Sequence, residues 1–290
     1  MTLTASFRTR ISSYASCLAL GYAALLASSM LVCLPTLAAL SDVGVGRLPA
    51  GDRALFEPGA LLLLEVVRVG RTRLIGGLES SALSAVFASL LTLPVAAALM
   101  VRLERPERRA WGPWLAGAVH PLPSFLMLGG VTTLCRAGVL VLLGFSAVRY
   151  HDVVLLAFGR KPADLTLLAA ALVAMLLLAL LGALQDLARA VVVTQRVDGY
   201  SALQRGLLLA RRHTPRWLLP WSAAAGGTLA AVLIVAMAGA VFDLGRSDAG
   251  IAAARFLVCQ TAVVIALASR IWWFDRALRL ARVYARAPIA

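Results

Sequence analysis

Residues 165–184 read LTLLAAALVAMLLLALLGAL, twenty consecutive positions without a charged side chain. An α-helix rises about 1.5 Å per residue and the hydrocarbon core of a bilayer is about 30 Å thick, so a helix of this length crosses it. Inside lipid every backbone N–H and C=O must be bonded within the chain, which favours a helix over an open strand. The stretch therefore predicts a transmembrane helix.

Similar apolar runs occur along the whole chain, at residues 14–40, 75–100, 123–148, 217–242 and 251–274. The composition is 61% hydrophobic and 14% charged, whereas soluble domains are about half apolar and a quarter charged. The connections are short, the longest being residues 41–74, so none of them holds a soluble domain. We predict an all-α polytopic membrane protein in which residues 1–290 form a single domain of about six transmembrane helices.

The net charge of +14 invites a nucleic-acid interpretation, which the distribution of charge does not favour. Nucleic-acid-binding domains gather their basic residues on one face. Here the 28 basic residues, all arginine except Lys161, lie mostly between the apolar runs. We expect no nucleic acid partner, and we expect the arginines to meet the anionic headgroups of membrane lipids.

Basic residues also predict the orientation, because lysine and arginine accumulate on the cytoplasmic side of short loops. With the N-terminus inside, the inner segments carry 17 basic residues, counting Arg270 at the end of the last run, against 9 for the outer segments. This predicts that both termini are cytoplasmic. The first apolar run is longer than the 7–15 residues of a cleaved signal peptide, so we expect it to be retained as an anchor helix.

Three segments outside the apolar runs predict helices that lie in the membrane interface. In residues 201–213, Ser201 and Gln204 have the spacing of an N-terminal capping box, and the polar face carries Arg205, Arg211 and Arg212. Residues 276–286 place Arg279, Arg282 and Arg286 on one face. Residues 58–69 predict a third helix, whose start is marked by Glu57-Pro58 and which is either interfacial or re-entrant. The arginines either serve orientation alone or form a docking surface for a partner.

Charged residues inside the apolar runs are expensive, and so they are candidates for function. Arg136 lies near the middle of the third run, Glu79 in the outer part of the second and Arg255 in the outer part of the sixth. Their depths permit a pair between Glu79 and Arg255. The alternatives are a structural role, either as a buried pair that fixes helix packing or as an arginine that extends to the headgroups, and an anion-binding or gating charge in a central cavity. Asp186 and Arg189 end the fourth run and predict an interfacial ion pair.

Catalytic and metal-binding patterns are missing from the sequence. It contains no phosphate-binding loop, no dinucleotide fingerprint, no HExxH and no GxSxG. The three histidines lie far apart, and His151-Asp152 is expected to be a solvated pair in an outer loop. The four cysteines fall inside apolar runs without a CxxC pair, which favours buried thiols over a disulfide framework or a zinc site. We predict no enzyme activity, no metal and no cofactor.

Small residues at helical spacing predict close helix packing. They occur in the fifth run at Ala223, Gly227 and Ala231, and in the third run at Gly129, Thr133 and Ala137. These seams pack either within the chain or between copies of it.

Short motifs resemble those of two groups of bacterial membrane proteins. The sequences LFEPG at 55–59 and LLLEV at 62–66, with DLARAV at 186–191 ahead of ALQRG at 202–206, are similar to uncharacterised six-span proteins and to the membrane domain fused to some glycerophosphodiester phosphodiesterases. This resemblance implies a membrane module of a bacterial inner membrane without catalysis. Ala202, Gly206 and Pro220 also resemble the coupling helix of ABC-importer permeases, with Ser201 where that family has an acidic residue.

Two functions are compatible with these features. The first is a non-catalytic membrane protein that assembles with, anchors or assists a complex, through a protein partner or through a second copy of itself. The second is a small transporter or permease subunit for an anionic or lipid-like substrate. The two differ in whether Arg136, Glu79 and Arg255 face water or are neutralised by packing.

Overall fold

The computed structural model describes residues 3–42, 71–105, 111–241 and 249–286, and these residues are helical apart from short connections. They contain no strand, which confirms the all-α prediction. The helices are α1 (Leu3–Asp42), α2 (Arg71–Glu104), α3 (Trp111–Val119), α4 (Leu122–Phe158), α5 (Arg160–Gln195), α6 (Gly199–Arg212), α7 (Thr214–Val241) and α8 (Ala249–Arg286).

Five of these helices are long and apolar enough to cross a membrane, as in a multi-pass membrane protein. The spanning stretches lie in α1, α4, α5, α7 and α8, at Ser12–Pro35, Leu122–Phe158, Pro162–Gln195, Thr214–Ala238 and Ala253–Ala285. The predicted second span, residues 75–100, falls within the continuous helix α2, which is not one of these five. Six crossings and cytoplasmic termini therefore stay predictions, and the predicted helix at 58–69 lies outside the described residues.

Packing divides the chain into two compact units. The first comprises residues Met1–Arg109 and Ser222–Trp273, and the second comprises Ala110–Trp221 and Phe274–Ala290. Helices α7 and α8 each contribute a segment to both units.

In the first unit α1 packs along α2 and also contacts α8. The Tyr22 hydroxyl donates a hydrogen bond to Gln260 Oε1, and a Cβ on the adjacent Gly21 would lie 3.5 Å from the Leu267 side chain. Gly227 of α7 lies against Ser269 of α8, where a Cβ would overlap the serine side chain. The small-residue seam of the fifth run therefore packs within the chain at Gly227.

In the second unit α4 and α5 form an antiparallel hairpin joined by a single residue. The connection between the third and fourth apolar runs, residues 149–164, is helical apart from Gly159, because the apolar residues after Tyr150 continue α4 as far as Phe158. His151 consequently lies on a helix rather than in a loop, with its Nε2 3.8 Å from Asp164 Oδ1, and the side chain of its predicted partner Asp152 lies outside the described residues. The hairpin turns at Gly159, whose φ of 87° and ψ of −177° are open essentially to glycine alone.

Replacing Gly159 with alanine is expected to lower the free energy of unfolding by about 1–2 kcal/mol, because a Cβ is strained at this positive φ. Thermal unfolding in detergent measures the loss. Gly144→Ala is the matched control, since a Cβ there meets no atom within 4 Å and α4 is regular around it. An equal effect at the two positions would contradict the role of the turn.

Candidate functional site

The best-packed part of the second unit is the α5–α6 cap, which we define as residues 183–195 of α5, helix α6 and residues 274–286 of α8. Its core consists of small and apolar side chains that are almost completely buried, among them Leu187, Ala188, Ala190, Val191, Ala202, Leu209, Phe274, Leu278 and Ala281. Towards its N-terminus α5 instead exposes Leu168, Leu172 and Leu176. The apolar side chains of α5 are therefore exposed along the hairpin and buried in a protein core at the cap.

Two glycines bring α6 into close contact with its neighbours. A Cβ on Gly206 would lie 3.1 Å from the Cα of Ala188 on α5, so the two backbones touch. A Cβ on Gly199 would lie 2.7 Å from the Met127 sulfur and 3.2 Å from the Ser124 carbonyl oxygen of α4. The apolar face of α6 is therefore seated on α4 and α5, and Trp217 closes its end by donating from Nε1 to the Ala210 carbonyl at 2.9 Å.

Helix α6 begins two residues before its predicted start and has a different cap. The N-cap is Asp198, whose Oδ2 accepts hydrogen bonds from the backbone N–H of Tyr200 at 3.1 Å and of Ser201 at 3.0 Å. Ser201 is therefore in the first turn, and the predicted capping box of Ser201 and Gln204 does not begin the helix. Asp198 caps the helix in place of Ser201, because its carboxylate lies three residues earlier and accepts hydrogen bonds from two of the unpaired N–H groups of the first turn.

Hydrogen bonds from the Ser201 hydroxyl and backbone hold the pKa of Asp198 below its ordinary value of 3.8. A lowered pKa in the folded state means that the cap stabilises α6 fully above about pH 4 and that this contribution is lost as the pH falls through the lowered pKa. We expect amide exchange in residues 199–205 to rise in acid relative to Asp198→Asn, which keeps a capping acceptor that does not titrate. Identical pH dependence in both proteins would contradict this.

A polar cluster lies within the cap, at the predicted end of the fourth apolar run. Asp186 has no exposed surface and Arg189 is 7% exposed. The two side chains approach to 3.6 Å, and the Arg189 guanidinium lies 5.4 Å from the centre of the Phe125 ring on α4. The predicted pair of Asp186 and Arg189 is therefore present and buried between helices, and its position at the membrane interface stays a prediction.

The arginines predicted to share an interfacial role have different surroundings. Arg211 and Arg212 are exposed at the end of α6, while Arg205 Nη1 donates to Gln195 Oε1 at 2.7 Å. Arg279 forms an ion pair with Asp275 one turn earlier on α8. Arg282 is half-buried, and the Arg286 side chain lies outside the described part of the chain.

A cavity of about 490 Å³ opens beside Arg205. It is lined by residues from the ends of α5 and α8 and from α6, namely Thr194, Gln195, Gln204, Arg205, Leu208, Tyr284 and Ala285. Arg205 was predictable from the sequence, whereas Gln195 and Tyr284 were not, because they are neutral and 89 positions apart in the sequence. The one available signal was that both are polar residues where an apolar helix ends.

The three predicted intramembrane charges belong to different units, with Arg136 in the second unit and Glu79 and Arg255 in the first. Arg136 of α4 is half-buried, and its Nη2 lies 3.1 Å from the position that a Cβ on Gly182 of α5 would occupy. Its Nε is buried and donates no hydrogen bond within the described residues. In the first unit Glu79 is exposed on α2 and Arg255 is half-buried on α8, and their pairing stays a prediction.

Within the described ranges no three histidine, cysteine, aspartate or glutamate side chains are grouped as a metal site would require. Comparison with protein-family models, with curated proteins and with solved structures found no match. The candidate site is therefore the α5–α6 cap with its exposed arginines, its buried ion pair and its cavity.

Proposed function

We propose that this protein is a non-catalytic integral membrane protein that acts as an accessory or anchoring subunit and binds a protein partner through the α5–α6 cap. The charge distribution further supports an orientation with both termini and the cap on the cytoplasmic side, and the motif resemblance supports a bacterial inner membrane. The partner is either another membrane-associated protein or a second copy of this chain.

The observation that carries the proposal is the seating of α6. An amphipathic helix that serves only as an interfacial anchor buries its apolar face in lipid. Here that face, with Ala202, Gly206 and Leu209, is buried in the protein. The outer surface of α6 still presents the exposed side chains of Leu207, Arg211 and Arg212. A fixed helix that offers an apolar side chain beside two cations suits a partner with an acidic, partly apolar surface.

The test is purification in native lipid discs followed by mass spectrometry of the proteins that remain bound in fixed stoichiometry. Arg211→Glu/Arg212→Glu is expected to release the partner, because reversed charges repel its acidic surface. Arg149→Glu is the matched control, since Arg149 is also exposed but lies near the hairpin turn of α4 and α5. A protein without a stoichiometric partner, or one whose partner is insensitive to the double reversal, would count against the proposal.

A second candidate function, a transporter or permease subunit for an anionic or lipid-like substrate, is favoured by Arg136. Its guanidinium lies in a predicted spanning helix beside the small residue Gly182, and no carboxylate is paired with it in the part of the chain that the structure describes. If this charge guides anions, proteoliposomes should take up labelled phosphate or sulfate, and Arg136→Lys should fold but lose uptake. A folded Arg136→Lys protein with full uptake would remove Arg136 from this function.

A further inference from the structure

The cavity beside Arg205 lies where two membrane-spanning stretches end. The stretch in α5 ends at Gln195 and the stretch in α8 ends at Ala285, and both residues line the cavity. Both helices continue past their apolar runs, which end at residues 184 and 274, so the cavity lies on the headgroup side of the hydrocarbon core. Leu208 and Ala285 supply an apolar side and the other lining residues are polar, so the cavity matches the polarity change within a phospholipid.

Some of the residues that line the cavity are already hydrogen-bonded to the protein, and others have donors left for a ligand. Gln195 belongs to the first group, because its Oε1 accepts a hydrogen bond from Arg205 at 2.7 Å and its Nε2 donates to the Ala281 carbonyl at 3.4 Å. Thr194 is also engaged, because its hydroxyl donates to the Ala190 carbonyl at 2.8 Å.

The donors left for a ligand belong to three side chains. A guanidinium has five N–H groups, and the bond to Gln195 uses one of those on Arg205. The Gln204 amide and the Tyr284 hydroxyl make no hydrogen bond within the described residues. One positive charge and two neutral donors therefore surround the space, and none of the residues that line it is acidic.

We propose that this cavity binds the phosphodiester group of an anionic phospholipid headgroup. A phosphodiester carries one negative charge and accepts several hydrogen bonds, which the Arg205 guanidinium, Gln204 and Tyr284 can donate together. Gln195 is a positioning residue that holds the guanidinium towards the space. The site goes beyond the proposed function, since it uses Arg205 rather than Arg211 and Arg212 and needs no protein partner.

Native mass spectrometry in a neutral detergent tests the site, with phosphatidylglycerol and phosphatidylcholine added at equal concentration. The unaltered protein is expected to retain phosphatidylglycerol preferentially. Arg205→Gln should weaken that binding about tenfold or more, because it removes the charge-assisted hydrogen bonds. Arg216→Gln is the matched control, because Arg216 is an exposed arginine at the start of α7 that does not line the cavity, and it should bind as the unaltered protein does.

A second variant separates binding from folding. The Gln204 side chain is exposed, and its removal breaks no hydrogen bond within the described residues. Gln204→Ala should therefore weaken phosphatidylglycerol binding several-fold without changing thermal unfolding. Equal losses in Arg205→Gln and Arg216→Gln, or no preference between the two lipids, would overturn the site. Displacement of the lipid by inorganic phosphate, with the same dependence on Arg205, would assign the cavity to a soluble anion and overturn the lipid proposal.

Discussion

Replacing Asp186 with alanine is expected to lower the free energy of unfolding by about 3–5 kcal/mol, the cost of breaking a buried ion pair from one side. Asp186 has no exposed surface, and its partner Arg189 is 7% exposed and lies over the Phe125 ring. Removing the carboxylate leaves a guanidinium in a medium that cannot solvate it. Thermal unfolding in a mild detergent, followed by circular dichroism, measures the loss.

Removing both charges distinguishes a charge effect from a packing effect. Asp186→Ala/Arg189→Met is expected to be less damaging than Asp186→Ala alone, since no unpaired charge remains in the core. Asp275→Ala serves as a control, because it breaks the more exposed pair with Arg279 and should cost about 1 kcal/mol or less. A double variant as unstable as the single one would show that the pair is not what stabilises this part of the cap.

Gly206→Val is expected to lower the free energy of unfolding by about 3 kcal/mol, at the upper end of the usual cost of overpacking. The added Cβ would lie 3.1–3.2 Å from the Cα, the backbone nitrogen and the Cβ of Ala188. Because two of these atoms are backbone, α6 must move away from α5 as a whole. Protease cleavage within residues 199–212 should rise with the loss of stability.

The same change at Gly226 provides the control. A Cβ there meets no atom within 4 Å, so Gly226→Val should leave unfolding nearly unchanged. If both variants were equally stable, the close approach of α6 to Ala188 would not be what fixes the cap. If Gly206→Val also released the protein partner, the seating of α6 would be linked to docking.

The helical fold was predictable because it depends on long apolar runs, which can be recognised directly in the sequence. The hairpin was not, because Arg149, Tyr150 and His151 interrupt the apolar run and look like the start of a loop. A helix already propagating adds each residue at little cost, so three polar positions do not stop it. The turn between α4 and α5 is instead made by Gly159, with its positive φ.

The candidate site was predictable in its charges and not in its geometry. A helical wheel groups Arg205 with Arg212, since seven residues bring the helix back to nearly the same direction. They are nevertheless about 10 Å apart along the axis, so one lines the cavity and the other does not. Gln195 and Tyr284 escaped prediction because only the packing of α5 with α8 brings them together.

The one-residue turn at Gly159 offers a way to determine the membrane topology of the chain. Helix α4 has 37 residues, so it is about 55 Å long and exceeds the hydrocarbon thickness by about 25 Å. Leu156, close to the turn, is 89% exposed. A cysteine at this position is thus an accessible reporter for a membrane-impermeant maleimide. Labelling of intact cells would place the hairpin tip outside, and labelling only after lysis would place it in the cytoplasm.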